Sequence, residues 1–171
     1  MHEHDCKMTR KEHLATDSEP FHFVNSGLSN VYLVGIKYFT CECGEVVAEI
    51  PAIKSLMRLI ARDIVASPES LSGEEIRFLR KRAGIKSANF AKLIGVEAET
   101  FSRFENDKQS PSEPVDKLIR LTYALNCDDV EFSEHAMNLL RAALEEWRKR
   151  KLQSKIVLKM QNNEWSEALA A

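Results

Sequence analysis

The chain has 171 residues, of which 44% are hydrophobic and 29% are charged, the composition of an ordinary soluble protein. Its formal net charge of −2 excludes a protein that coats nucleic acid with its whole surface, so any DNA binding must come from a local patch. No apolar run approaches the length of a membrane span, and the first residues are polar, unlike a signal peptide. We therefore expect a cytoplasmic protein with no membrane partner.

The first 70 residues predict a small domain that contains a β-hairpin and one helix. Residues 1–20 are charged and poor in large apolar side chains, so we expect them to be irregular. The segments "NVYLVGIKYFT" and "GEVVAEI" are rich in β-branched and aromatic residues, and they predict two strands joined by a tight turn that carries Cys41 and Cys43. Apolar residues at helical spacing then predict a helix from Ile53 to Ile64.

Residues 71–126 predict several short helices with short connections. The composition of "SPESLSGEE" marks the boundary before them. Gly84 ends the first helix, "SANFAKLIG" and "EAETFSRFEN" form the second and third, and Ser112 caps the fourth. We therefore expect an all-α domain in this part of the chain.

The second and third of these helices have the spacing of a helix-turn-helix. Counting from Ser87, the small residue Ala91 falls fifth and Gly95 falls ninth. Phe101 and Phe104 fall fifteenth and eighteenth. A small residue lets two helices cross closely, a glycine permits the tight turn between them, and apolar residues fix the angle of the second helix. The alternative is a plain helical bundle in which this spacing arises by chance.

The outer face of the third helix would be the face presented to DNA. Arg103 is the best candidate for a two-donor contact to guanine, which is worth about 1–3 kcal/mol of discrimination. Glu97 and Glu99 favour the plain bundle, because a phosphate-facing surface prefers neutral or basic side chains, although Glu99 could accept from a cytosine amino group. The candidate DNA contacts are Lys86, Ser87, Ala98, Glu99, Ser102, Arg103, Asn106 and Lys108.

Two short motifs in this segment match a known group of DNA readers. "IRFLR" begins at Ile76, and "TFSRFEND" runs from Thr100 to Asp107. The segment from about Leu71 to Leu125 resembles the Xre/Cro-type helix-turn-helix family, whose members read I-R-x-L-R and T-x-S-R-W-E-N-G at these places. This chain has Phe104 where the family has Trp, Asp107 where it has Gly, and Ser87 where the second helix usually begins with Gln.

The resemblance extends upstream through "FHFVNSGLSNVYLVGIKYFTCECGEVVAEIP" and the helix that follows it. That segment is similar to the YgiT/MqsA-like zinc-finger/helix-turn-helix proteins. The resemblance implies an N-terminal domain that binds zinc through two Cys-x-x-Cys pairs. It also implies an antitoxin that binds a toxin, represses its own operon and acts as a dimer.

The thiols depart from the pattern of that family. Cys41 and Cys43 have one residue between them instead of two, which strains but does not forbid chelation of one tetrahedral zinc ion. In a reducing cytosol a metal or a reduced thiol is a better interpretation than a disulfide. A Cys₃His zinc site is conceivable, and a lost site is the alternative; its ligands would be Cys6, Cys41, Cys43 and His4.

Residues 127–171 predict a helical extension. Ser133 would cap a longer helix with an apolar seam at Met137, Leu140, Leu144 and Trp147. This seam could pack on the preceding domain, or it could pair with a second copy of the chain. A two-fold dimer would place two recognition helices about 34 Å apart, on successive major grooves. We expect a homodimer.

The sequence as a whole predicts an α+β protein that is not an enzyme. Its parts are a zinc-finger-like, partner-binding domain at 1–70, a helix-turn-helix domain at 71–126 and the helical extension at 127–171. No histidine lies at a recognisable spacing from a nucleophile, and there is no phosphate-binding glycine loop. We expect a sequence-specific regulator of transcription that binds double-stranded DNA, in the form of an autoregulating repressor or antitoxin. The alternatives are a module that neutralises a toxin with little DNA reading, and a metal or redox sensor.

Overall fold

The computed structural model describes residues 11–41, 43–127, 134, 138, 158–161 and 164–167. The chain divides into two compact units, Met1–Cys127 and Asp128–Ala171. In the second unit, strands β6 and β7 form an antiparallel pair, Leu158–Gln161 and Glu164–Glu167. The predicted cap Ser133 and the predicted dimer seam lie outside the described residues. No helix within the described ranges has the length and apolar character needed to cross a membrane.

The first unit begins with short strands and continues with helices, which confirms the predicted α+β class. Over residues 11–41 and 43–127 its strands are β1 Lys11–Leu14, β2 Phe21–His22, β3 Tyr32–Leu33, β4 Lys37–Thr40 and β5 Val46–Glu49. A short 3₁₀ helix, Val24–Ser26, lies between β2 and β3. The α-helices that follow in the described part of this unit are α1 Ile53–Ala66, α2 Gly73–Arg82, α3 Ser87–Leu93, α4 Ala98–Glu105 and α5 Glu113–Asn126.

The predicted hairpin is present as β4 and β5, with Cys41 and Cys43 in the turn between them. The first strand of this hairpin is shorter than "NVYLVGIKYFT" suggested. Gly35 adopts a φ of 74°, a conformation that few other residues tolerate, and it separates β3 from β4. The break moves Tyr32 and Leu33 into a different two-stranded sheet, where they pair with β2.

The expectation that residues 1–20 are irregular is wrong for Lys11–Leu14. These residues form β1, which pairs antiparallel with β4 and completes a three-stranded sheet of order β1-β4-β5. The His13 ring of β1 stacks on the Tyr38 ring of β4, with ring centroids 4.9 Å apart. Nε2 of His13 also forms a hydrogen bond with Oγ1 of Thr40, at 2.9 Å. Such cross-strand pairs stabilise a strand whose own composition is polar.

Most of the buried apolar side chains of the first unit lie on its helices. The largest fully buried side chains are Tyr123, Phe90, Phe101, Ile76, Leu79 and Ile119. Ser72 and Glu75 form a reciprocal capping box at the start of α2, and Gly84, with a φ of 68°, follows its last turn as predicted. Ser112 occupies the predicted N-cap position of α5, but its side chain makes no capping hydrogen bond.

A buried ion pair on α5 holds the connection between α1 and α2. Nε of Arg120 lies 2.6 Å from Oδ1 of Asp116, and Oδ2 of Asp116 accepts the backbone N–H of Leu71 at 2.7 Å. The other nitrogens of Arg120 donate to backbone carbonyls at the end of α1 and just after it, those of Ile64, Val65, Ser67 and Glu69. The arginine thereby satisfies carbonyls that the end of a helix leaves without intrahelical partners.

A second polar contact joins the strand-rich part of the unit to α2. The backbone N–H and the hydroxyl of Ser29 both donate to Oε2 of Glu74, each at 2.8 Å. Hydrogen bonds of this kind favour the charged form of a carboxyl group. The bonds from Ser29 therefore hold the pKa of Glu74 below its ordinary value of 4.5.

We expect Arg120→Ala to destabilise the chain by about 3–5 kcal/mol, because it leaves Asp116 buried without its charge partner. Lys117→Ala is the matched control, since Lys117 pairs with Glu113 at the same spacing on the exposed face of α5. That control should cost less than about 1 kcal/mol. Urea unfolding followed by circular dichroism measures both changes. Equal, small losses in the two variants would contradict the role of Arg120.

We expect Glu74→Gln to make stability less dependent on pH in the acidic range. Because the folded pKa of Glu74 is lowered, its contribution is fully present above the ordinary value of 4.5 and is lost as the pH falls through the folded pKa. The free energy of unfolding of the variant should therefore lie below that of the wild type at neutral pH, and the gap should close in acid. Glu97→Gln, at an exposed position, is the control and should show no such convergence.

Candidate nucleic-acid interface

Helices α3 and α4 meet at a tight turn. Gly95 in this turn has a φ of 70°, and the backbone N–H of Val96 returns to the carbonyl of Ala91 at 3.0 Å. Ala91 is 1% exposed, as expected of a small side chain at a close helix crossing. The predicted roles of Ala91 and Gly95 in the local geometry are therefore confirmed.

The phenylalanines of α4 define which face of the helix points outward. Phe101 is fully buried and Phe104 is 4% exposed, and the Phe101 ring packs against Phe90 of α3 with centroids 5.2 Å apart. The opposite face is exposed; it carries Ala98, Glu99, Ser102, Arg103 and Asn106. A helix with one buried and one exposed face can present the exposed side chains to a groove without disturbing the core.

Glu105 fixes α4 to the two helices before it. Its side chain is almost fully buried and accepts from Nε of Arg80 at 2.6 Å and from the hydroxyl of Ser87 at 2.8 Å. Its backbone carbonyl accepts from Arg77. One carboxylate therefore joins α2, the start of α3 and the end of α4. The low polarity around the group strengthens these charge-assisted bonds.

This network was not predicted from the sequence, although the sequence contains one signal for it. Glu105 follows Phe101 by four positions, so it lies on the same inner face of the helix as that phenylalanine. A carboxylate on a buried face needs a cationic or hydrogen-bonding partner. The "IRFLR" segment offered two arginines, of which Arg80 makes the ion pair.

Asp107, which stands where the Xre/Cro-type pattern has Gly, connects the end of α4 to the start of α2. It has a φ of 53°, and its Oδ1 accepts the backbone N–H of Gly73 at 2.6 Å. A Cβ on Gly73 would lie only 2.7 Å from the carbonyl oxygen of Phe104, so the approach requires glycine. The carboxylate satisfies an N–H that the first turn of a helix leaves without a partner, and this offsets the strained φ of Asp107.

Most of the predicted DNA contacts are exposed, and five of them take part in side-chain hydrogen bonds within the protein: Ser87, Glu99, Ser102, Arg103 and Asn106. Ser87 is half-buried because its hydroxyl donates to Glu105. Nδ2 of Asn106 donates to the carbonyl of Ser102 at 2.7 Å. The exposed members of the predicted set are Lys86, Ala98, Glu99, Ser102, Arg103, Asn106 and Lys108. Their contacts to DNA remain predictions.

The candidate zinc ligands lie only partly within the described residues. Cys41 is half-buried and Cys43 is exposed, and they stand in the β4–β5 turn. The other two predicted ligands, Cys6 and His4, lie outside the described residues. Within the described parts of the chain, no three His, Cys, Asp or Glu side chains are grouped as a metal site would require. The described residues alone do not complete a zinc site, and the four-ligand site stays a prediction.

We expect Glu105→Gln to lower the free energy of unfolding by about 3 kcal/mol, because Arg80 then loses its charged partner in a largely buried position. Glu99→Gln is the matched control: it removes the same charge from an exposed ion pair on the same helix and should cost less than about 1 kcal/mol. Chemical unfolding of the two variants provides the comparison. A loss at position 105 no larger than that at position 99 would contradict the role given to Glu105.

Comparison with known proteins gives one family. The family model described as "Antitoxin component of bacterial toxin-antitoxin system, MqsA" matches residues 4–125. A comparison with curated proteins gave no match. The matched segment includes strands β1 to β5, helices α1 to α4 and nearly all of α5. It is well over half of the chain and confirms the resemblance that the motifs suggested. The chain therefore belongs to the MqsA family of antitoxin components of bacterial toxin–antitoxin systems.

Proposed function

We propose that the chain is a sequence-specific DNA-binding regulator that represses transcription of its own operon. The observation that carries this proposal is the arrangement of α4. Its inner face is fixed by Phe101, Phe104 and Glu105, while Ser102 and Arg103 stand exposed on the other side. A reading helix must hold its side chains in a fixed register against the bases, and the buried contacts provide that rigidity.

The charge distribution around α4 supports a local binding surface. The chain as a whole carries a net charge of −2, so sequence-independent affinity must come from a few positions. Lys86, at the N-cap of α3, and Lys108, just after α4, are both exposed. Both are suited to phosphate contacts, which position a protein on DNA, while Arg103 is suited to base contacts, which specify the sequence.

Membership in an antitoxin family supports a toxin as the second partner. We propose that the strand-rich part of the chain binds it. Among residues 11–41 and 43–59, eight large apolar side chains are exposed: two of them, Ile53 and Leu59, lie on α1, and the other six lie in the strand-rich part before it, namely Leu14, Val24, Tyr32, Val34, Val46 and Val47. Among residues 60–127 only Leu93 and Leu125 are exposed in this way. Where such side chains lie next to one another, they form the kind of apolar patch to which a protein partner binds. Neutralisation of a toxin with little DNA reading is accordingly the second candidate function.

The family resemblance also brings zinc and dimerisation into the proposal. Zinc would be held by Cys6, Cys41, Cys43 and His4, and it would tie the β4–β5 turn to the segment before β1. A homodimer formed through the predicted C-terminal seam would present two copies of α4 to one operator. Neither zinc nor dimerisation is needed for the exposed face of α4 to contact DNA as proposed.

The direct test measures binding of the full chain to a duplex from its own upstream region and to a scrambled duplex, across a salt series. We expect a clear preference for the upstream duplex, and an affinity that falls steeply as the salt concentration rises. Equal and weak binding to both duplexes would contradict the proposed function and favour the toxin-binding candidate. Co-purification of the chain with the product of a small neighbouring gene tests that candidate separately.

Arg103→Ala should remove about 1–3 kcal/mol of preference for the upstream duplex and leave the fold intact, because Arg103 is exposed and contributes little to the core. Lys108→Ala is the matched control. It should weaken binding to both duplexes alike and reduce the slope of the salt dependence by about one. Thermal melts should confirm that both variants fold. Unchanged preference in Arg103→Ala would contradict the role of Arg103 in base reading.

A further inference from the structure

We propose that Glu99 is a specificity-determining residue of α4: it orients Arg103 towards a guanine and requires a cytosine in a nearby base pair. This inference rests on the proposed DNA-binding function and adds to it the class of base pair that is read. It starts from an ion pair between two exposed side chains on the outer face of the helix.

The geometry places the two side chains side by side. Oε1 of Glu99 lies 2.7 Å from Nη2 of Arg103, one helical turn further along α4. The side chains of Glu99 and Arg103 are 79% and 53% exposed, so the pair contributes little to the stability of the fold. Glu99 lies in the first turn of α4, where a carboxylate stabilises the N-terminus of a helix by less than about 1 kcal/mol, so stability accounts for only a small part of its presence on this face. A role in recognition explains its position better.

The ion pair prepares Arg103 for a contact with two acceptors. It uses one of the several N–H donors of the guanidinium, and the others remain available for O6 and N7 of a guanine. The carboxylate also restricts the rotation of a long side chain. A group that is already restricted loses less conformational freedom when it binds. Glu99 thereby favours a contact in which the planar guanidinium lies against the edge of a base.

The carboxylate of Glu99 also restricts which base can lie opposite it. Within the described residues, Oε2 of Glu99 has no recorded partner, and it can only accept hydrogen bonds. Cytosine presents an amino donor in the major groove, and acceptor edges repel a carboxylate. Residues four apart on a helix are about 6 Å apart along its axis, and base pairs are about 3.4 Å apart. Glu99 and Arg103 therefore fit base pairs one or two steps apart.

Glu99 also suppresses binding that ignores sequence. A phosphate would attract Arg103 in any duplex, and contacts to phosphates provide most of the non-specific affinity. A carboxylate beside the guanidinium weakens that attraction in every sequence, whereas a cytosine compensates for it in the correct one. Discrimination arises from this difference.

Glu97 provides the matched control. It is exposed at the N-cap of α4 and its side chain makes no capping hydrogen bond. Within the described part of the chain, it has no ion pair with Arg103, whose recorded carboxylate partner is Glu99. Replacing Glu97 removes the same charge from the same end of the helix. Any general electrostatic effect should therefore appear in both Glu97→Ala and Glu99→Ala.

The experiment measures binding of the full chain, Glu97→Ala and Glu99→Ala to the upstream and scrambled duplexes across a salt series. We expect both variants to bind the scrambled duplex more tightly than the wild type does. Only Glu99→Ala should lose discrimination, by about five- to 100-fold. Its salt dependence should also steepen by about one phosphate contact, because Arg103 becomes available to the backbone.

A double-mutant cycle with Arg103→Ala tests whether Glu99 acts partly through Arg103. The effect of Glu99→Ala on discrimination should be smaller in the Arg103→Ala background than in the wild type. Specific binding by the wild type, with equal effects of the alanine changes at 97 and 99, would overturn this inference alone. No discrimination by the wild type would overturn the proposed DNA-binding function, and this inference with it.

Discussion

The buried carboxylate of Glu105 is the group on which the orientation of α4 depends. It accepts from Arg80 on α2 and from Ser87 at the start of α3, while the backbone carbonyl of the same residue accepts from Arg77. A carboxylate removed from water must retain all of its hydrogen bonds, since an unpaired buried charge is costly. The three helices are therefore held in one arrangement more strictly than apolar packing alone would hold them, because apolar contacts are not directional.

Two further polar contacts extend this arrangement towards the N-terminus. Arg120 and Asp116 attach the segment after α1 to α5, and Glu74 attaches Ser29 to α2. Each contact ends on backbone N–H or carbonyl groups, so it fixes the path of the chain as well as the position of a side chain. The strand-rich part of the first unit is thereby tied to α2, which Glu105 joins to α4, the helix proposed to contact DNA. A partner that binds the strands would meet a surface that is mechanically joined to α2.

The local features of the fold were predictable from the sequence. Apolar spacing and the positions of Gly84 and Gly95 located the helices and the turn between α3 and α4, because these signals lie within one or two turns of the chain. Strand β1 could not be predicted in the same way. Its stability comes from pairing with β4, more than 20 residues away, and all of its residues except Leu14 are polar.

The candidate site was predictable as a set of positions, but its internal contacts were not. Spacing indicated that Glu99, Ser102 and Arg103 share the outer face of α4, and the structure confirms that they are exposed. The connection of Ser87 to Glu105 and of Asp107 to Gly73 joins residues 18 and 34 positions apart. Such contacts depend on how the helices pack, which the pattern of each helix alone does not determine.

The most direct test of the central claim, that the outer face of α4 reads DNA, is to observe which residues respond to the duplex. Amide chemical shifts of the ¹⁵N-labelled full chain would be followed during titration with its own upstream duplex and with a scrambled one. The account predicts that the upstream duplex produces the largest changes along 97–108 and at the start of α3, with smaller changes from the scrambled duplex. Changes confined to residues 11–49, or equal changes from both duplexes, would contradict it.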